Sequence, residues 1–307
     1  MPDLKSLRKR IGSVKNTQKI TRAMKMVAAA RLNRAQQRIT SMRPYAVRVR
    51  TVLAEVVTAS DAQMEGGDEH AGEADHPLLA RRPEKSTLLL VMSGDRGLSG
   101  PFNSSVNKAA ERAWRERAEA GQNVQIYVIG RKGREYFKRR GAPVASYLEG
   151  VWDNLGPEQA RAIAQQIIKP FRAGKVDSIY IVYNEFKSAM TQRVVVEPMF
   201  PLSRAMEGSS DEKAEGADTH AATFSFEPSK DALLERLVPM YIEITILRAL
   251  YESRASFFGA QMTAMDSATK NASDLIDKLT LFYNRARQAA ITTEIMEIIG
   301  GAEALNG

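Results

Sequence analysis

A chain of 307 residues has room for one large or two modest domains, and its formal charge of +8 points to acidic partners: nucleic acid, anionic lipid or acidic protein surfaces. It has no cysteine, which excludes disulfides, thiolate metal sites and cysteine nucleophiles. No apolar run approaches a membrane span and Met1 leads straight into charged sequence, so the expectation is a soluble protein of a reducing compartment without a signal peptide.

The N-terminal segment reads as a long helix. Asp3 suits an N-cap, and Leu4, Leu7, Ile11 and Val14 follow at heptad spacing. The apolar stripe continues, shifted, through Ile20, Met24, Val27, Leu32, Ala35, Ile39 and Met42. It resumes after Pro44 as Val49, Val52, Leu53, Val56 and Val57. Pro44 removes a backbone donor and crowds the preceding turn, which predicts a bend or local break. The other faces are basic, and Asp3 is the sole acid before Glu55. Like charges at i,i+4 destabilise an isolated helix, so an acidic partner surface is expected along it. Small residues at Ala28 to Ala30 permit close helix approach. Met24 and Met26 fit ordinary packing or a surface that changes shape.

Residues 61–76 are rich in Asp, Glu, Gly and Ala and read as a flexible loop. Ser86 to Met92 is a continuous apolar run, as in a buried strand. A turn follows from Ser93 to Gly100, then a helix from Asn103 to Ala120. Val124 to Ile129 reads as a strand, Arg131 to Arg140 as a short basic helix, Val144 to Leu148 as a weak strand and Pro157 to Phe171 as a helix. Ser178 to Tyr183 and Arg193 to Val196 suit a hairpin, and Phe224 to Phe226 one more strand. This alternation predicts a small α/β layer, mostly parallel with an antiparallel edge.

The turn after the first strand carries Gly94, Gly97 and Gly100, spaced G-x-x-G-x-x-G. That is neither the dinucleotide fingerprint nor the P-loop, so no nucleotide is expected there. Asp95 and Arg96 are expected to pair with each other or with the backbone. His70, His76 and His220 lie in polar segments without metal-ligand spacing or a neighbouring nucleophile. The chain reads as having no catalytic residues, no cofactor and no metal site.

A second acidic insertion spans residues 206–220. Ser229 suits the N-cap of a short helix carrying Leu233, Leu234 and Leu237, which Pro239 is expected to end while opening the next. From there apolar residues recur at Tyr241, Ile244, Leu247, Tyr251, Ala255, Phe258, Met262, Met265, Ala272, Ile276, Leu279, Tyr283, Ala286 and Ala290. Steps of three and four keep one helix face apolar, and a helix of about 100 Å needs a partner helix, which the N-terminus supplies. The expected fold is mixed α+β: a long antiparallel two-helix coiled coil from the terminal segments plus a small Rossmann-like α/β domain. The boundaries are 1–60 for the N-terminal helix, 61–85 for the flexible loop, 86–228 for the α/β domain and 229–307 for the C-terminal helix.

Three segments carry a resemblance to a known family. They are Leu7-Arg-Lys-Arg-Ile-Gly-Ser-Val-Lys-Asn-Thr-Gln-Lys-Ile-Thr-Arg-Ala-Met-Lys-Met-Val-Ala-Ala-Ala30, Gly94-Asp-Arg-Gly-Leu-Ser-Gly-Pro-Phe-Asn103 and Tyr283-Asn-Arg-Ala-Arg-Gln-Ala-Ala-Ile-Thr-Thr-Glu-Ile-Met-Glu-Ile-Ile-Gly-Gly-Ala302. Over nearly its whole length the chain resembles the γ subunits of F-type ATP synthases. It departs from them at Ser99, where many members have cysteine, at Pro101, where many have glycine, and at Gln261, where many have arginine. The resemblance implies a non-catalytic rotor shaft inside a ring of three α and three β subunits. Its foot would sit on the ε subunit and the membrane c-ring, with membrane association indirect, on the cytoplasmic side of a bacterial inner membrane. It also implies that Met24 and Lys25 lie near the β lever loop, and Arg287 and Gln288 near the catch loops of α and β.

Two other readings compete. A nucleic-acid-binding coiled coil would explain the basic helix, but its basic residues are not interleaved with aromatics and no binding module appears, so no nucleic-acid partner is expected. A nucleotide-dependent enzyme on the α/β layer lacks the phosphate fingerprint.

Overall fold

The central strand sets the layering. A computed structural model describes residues 4–64, 82–202 and 230–306. Its elements are α1 (Leu4–Met64), β1 (Ser86–Met92), α2 (Phe102–Glu119), β2 (Asn123–Ile129), α3 (Arg131–Lys138), β3 (Val144–Leu148), α4 (Pro157–Arg172), β4 (Ser178–Phe186), β5 (Gln192–Phe200) and α5 (Lys230–Asn306). β1 is apolar on both faces because it lies mid-sheet, in the order β3-β2-β1-β4-β5. It pairs parallel with β2 and β4, β2 pairs parallel with β3, and β4 pairs antiparallel with β5.

Alternate β1 side chains feed two cores. Leu88, Leu90 and Met92 pack in a cluster with Ile163, Ile167 and Phe171 of α4, Val238, Ile242 and Ile246 of α5, and Leu53 and Val56 of α1. Leu89 and Val91 join Val106 and Ala110 of α2 and Phe137 of α3. The chain divides into two units, residues 31–260 and residues 1–30 with 261–307. Both cores belong to the first.

Within that unit the terminal helices run antiparallel. Arg31 lies over Phe258, Arg38 over Tyr251, and the Tyr45 hydroxyl donates to Met240 Sδ at 3.4 Å, so α5 numbers fall as α1 numbers rise. A buried polar cluster fixes α5 to the sheet edge. Arg248 Nη2 donates to both Glu197 carboxylate oxygens at 3.1 Å, and the Tyr183 hydroxyl donates to Glu197 Oε2 at 3.0 Å. Burial pushes the Tyr183 hydroxyl pKa up, and the adjacent carboxylates reinforce this.

The structure corrects several expectations. Pro44 lies inside α1 and Pro239 inside α5, so neither ends a helix. Pro44 is exposed, where a missing donor leaves the freed carbonyl open to water. The leucines 233, 234 and 237 therefore belong to α5 itself rather than to a separate short helix. α1 reaches Met64, into the segment read as loop. β4 and β5 are longer than expected, because their polar ends are paired: Glu185 lies opposite Arg193, with Arg193 Nε 3.0 Å from its carboxylate. The rest of the first acidic loop, residues 206–220, Phe224 to Phe226, Asp3, Ser229 and the three histidines lie outside the described residues.

Candidate functional site

The unit formed by residues 1–30 and 261–307 is a pair of helices, and its seam can be traced residue by residue. On α1 the inward positions are Leu4, Leu7, Ile11, Val14, Gln18, Thr21, Lys25 and Ala28, a continuous 3-4 alternation. The stripe does not shift at Ile20. Ile20 and Val27 are 59% and 51% exposed, and Met26 is 61% exposed, so they face outward. Polar residues take the seam instead, because α5 supplies polar partners for them. The Thr269 hydroxyl stands 2.8 Å from that of Thr21, and Lys25 forms an ion pair with Asp266. Asp266 also pairs with Lys270 at 3.1 Å. The hydrogen bond from Lys25, followed by that from Lys270, holds its carboxyl below the ordinary value.

The α5 seam follows the expected stripe. Met265 and Ala272 are buried, Ile276, Leu279, Tyr283, Ala286 and Ala290 are half-buried, and Thr269 fills the single gap. Two steps of the pairing, Lys25 with Asp266 and Thr21 with Thr269, show the antiparallel sense directly. Both helices rise about 1.5 Å per residue, so this register carries Leu4 to about Ala286. α5 then continues to Asn306 beyond the start of α1. Residues 291–302 are exposed on every face, and Ile291, Ile295, Met296, Ile298 and Ile299 present 46–66% of their surface. Consecutive exposed branched apolar residues on a helix end form a surface for another molecule.

Of the residues expected to contact partners, Met24 and Lys25 are half-buried, with Lys25 already paired to Asp266. Arg287 and Gln288 are exposed, just before the bare tip. The structure thus separates the four into two groups on different helices. Asp266, Thr21 and Thr269 were missed. A hydrophobicity pattern gives no weight to polar seam residues, although the gap at position 269 in the α5 stripe marks one of them.

The turn after β1 is held together by its own side chains. Gly94 N–H donates to Asn103 Oδ1 at 2.8 Å, and Asn103 Nδ2 donates to the Arg96 carbonyl at 3.0 Å. Asp95 does not take Arg96 as its partner in the way expected; its Oδ1 accepts from the Arg131 N–H at 2.8 Å, at the start of α3. Ser93 joins three elements: its Oγ donates to the Ile129 carbonyl and accepts from Gly133 N–H, and its carbonyl accepts from Trp152 Nε1. Gly130 adopts φ 93, and a Cβ there would stand 2.0 Å from the Ser93 carbonyl oxygen. Among the described residues no group of His, Asp and Glu is arranged to hold a metal ion, and no helix is long and apolar enough to cross a membrane.

Long terminal helices, antiparallel where they pair, with a mostly parallel five-stranded α/β domain inserted between them in sequence, define the class of ATP synthase central-stalk subunits. A family profile described as ATP synthase matches residues 3–305. The chain is 58% identical to the ATP synthase gamma chain of Sorangium cellulosum (strain So ce56), covering 99% of both chains. It is 44% identical to that of Anaeromyxobacter sp. (strain K), covering 99% of this chain and 100% of the relative. Its fold is similar to a chain of the Euglena gracilis mitochondrial ATP synthase OSCP/F1/c-ring structure, with a TM-score of 0.62 at 18% identity, covering 98% of this chain and 94% of that one. It is also similar to one of the Tetrahymena thermophila mitochondrial central stalk and c-ring, with a TM-score of 0.59 at 24% identity, covering 81% of this chain and 99% of that one. The chain belongs to the ATP synthase gamma chain family.

Proposed function

We propose that this chain is the central rotor subunit of a proton-translocating F-type ATP synthase, itself without catalytic residues. Its partners are the α and β subunits of the catalytic ring, the ε subunit and the membrane c-ring. It works on the cytoplasmic side of a bacterial inner membrane, held there through the complex. The observation that carries the reading is the α5 tip: an unpaired, apolar helix end in a member of this family, with Arg287 and Gln288 at its base.

Rotation of the c-ring turns the foot, and the paired helices transmit the torque. Two helices locked by apolar and polar seam contacts resist twisting better than one. The tip turns within a sleeve of apolar surface, where no fixed hydrogen bonds need breaking. Higher up the same shaft, Met24, Arg287 and Gln288 meet particular α and β loops in particular rotary positions. A shaft that presents a different face to each β subunit biases each toward a different conformation, through the difference in contact free energy between states. Hydrolysis of ATP drives the same rotation in reverse. Lys25 contributes mainly by holding Asp266, and secondarily through the part of its side chain that is exposed.

A tagged copy of the chain, expressed with the other subunits of its own operon, should bring down α, β and ε in fixed stoichiometry. The purified complex should hydrolyse ATP. Recovery of the tagged chain alone, with α and β assembled and active elsewhere, would overturn the reading.

A further inference from the structure

The largest concave surface of the α/β unit lies at the carboxyl ends of β1, β2 and β3, a cavity of about 740 Å³. α/β sheets take ligands at this end, in volumes of this order. Here α1 and α5 cross the crevice and change its chemistry. Arg31, Arg34 and Arg38 of α1 line it together with Arg254 of α5, and Arg96 and Arg131 enter from the turns after β1 and β2. Three carboxylates face them, those of Asp95, Glu149 and Asp153. One of the three is already engaged, since Asp95 accepts from the Arg131 N–H. Guanidinium charge therefore exceeds carboxylate charge by six to three inside a concave wall.

We propose that this cavity is a binding site for a small multivalent oxyanion of the phosphate or pyrophosphate class, held between the α1 arginines and Arg254. Guanidinium groups offer paired donors that fit tetrahedral oxyanions, and concave walls of one sign concentrate counter-ions. Arg254 donates to the Trp152 carbonyl at 3.1 Å, which anchors it at the wall while leaving its other donors available. Burial, and then the charges of Arg38 and Arg31, hold its pKa below the ordinary guanidinium value, the mark of cations crowded together. An anion between them removes that repulsion.

The aromatic rings argue against a nucleobase. Arg31 and Arg254 lie over Phe258, Arg38 over Tyr251 and Arg134 over Tyr147, so guanidinium groups already cover the faces on which a base would stack. The turn after β1 gives no phosphate loop either, because Asn103 takes the Gly94 N–H.

The test is isothermal titration calorimetry of the full-length chain with pyrophosphate, orthophosphate and ATP, in chloride buffers of matched ionic strength. Expected is one saturable site for pyrophosphate, weakened about tenfold or more by Arg34→Gln and by Arg254→Gln. Arg172→Gln, exposed at the far end of α4, should leave the affinity unchanged. Arg34 is exposed, so its variant keeps the fold even if Arg254→Gln does not; thermal unfolding without ligand checks both. ATP should bind no tighter than pyrophosphate. The proposal is overturned by absence of a saturable site at matched ionic strength, by full affinity in the Arg34 variant, or by ATP binding tenfold tighter than pyrophosphate. Saturable binding of a glutamate-rich peptide with none of pyrophosphate would also overturn it, and would assign the arginines to a protein partner.

Discussion

Lys25 of α1 and Asp266 of α5 form an ion pair across the helix seam. The pair lies at heptad positions that apolar residues fill elsewhere, so it sets the register of the two helices as well as joining them. Asp266 keeps a second cation, Lys270, when Lys25 is removed. Lys25→Ala should therefore lower the melting temperature only slightly, and less in high salt, where such exposed pairs are screened. Asp266→Asn removes both contacts and should cost more. The folded-state pKa of Asp266 is depressed, so its contribution is present in full above the ordinary value of 3.8 and is lost as pH falls below it. Thermal unfolding of wild type and Asp266→Asn should differ at pH 7 and converge in acid.

Arg248 and Glu197 predict a larger effect. Their side chains are 28% and 20% exposed, and Tyr183 shares the same carboxylate. Glu197→Ala strands a desolvated guanidinium, with Glu252 a distant alternative at 4.0 Å. The expected loss is about 2–3 kcal/mol, below that of a fully buried pair because of the residual exposure. Arg248→Met, which replaces the charge with an apolar chain of similar length, should cost less. Denaturant titration of the full-length chain measures both, and a larger loss for Arg248→Met would show that packing rather than charge holds α5 to the sheet edge.

Gly130 and Gly97 should respond oppositely to alanine. At Gly130 the positive φ and the Ser93 carbonyl leave no space for a Cβ, and Gly130→Ala should lose about 3 kcal/mol or fail to fold. At Gly97 a Cβ meets nothing within 4 Å, so Gly97→Ala should stay within about 0.5 kcal/mol of wild type. Soluble yield and denaturant midpoint report the difference.

Arg287→Ala with Gln288→Ala should leave the chain's own stability unchanged, since both side chains are exposed. In the assembled complex the loss of turnover ranges from negligible to about a hundredfold, according to how well the charge-assisted contacts are made. Hydrolysis and proton-driven synthesis should fall together. Full rates of both in a normally assembled complex would remove these two residues from the proposed contacts.

The α5 stripe from Tyr241 to Ala290 was legible because its seam residues are nearly all apolar. The α1 seam was legible at Leu4 to Val14 and again from Leu32. Between them Gln18, Thr21 and Lys25 face inward, while Ile20 and Val27 face outward. Hydrophobicity alone inverts that stretch, since the polar residues are satisfied by Thr269 and Asp266, more than two hundred positions away. The parallel sheet was legible from its apolar strands. Its antiparallel edge was read too short, because Glu185 and Arg193 look like loop residues until paired across the ladder. The cavity was not legible at all: it exists only once α1 and α5 cross the ends of the strands.

The rotor reading is tested most directly by watching the chain turn. The protein has no cysteine, so Met190→Cys, at a position 81% exposed between β4 and β5, provides a unique attachment point on this subunit. A bead attached there, on a complex immobilised through its catalytic ring, should rotate stepwise in one direction when ATP is supplied and stop when it is withdrawn. A complex that hydrolyses ATP at full rate while the bead stays still would contradict the account.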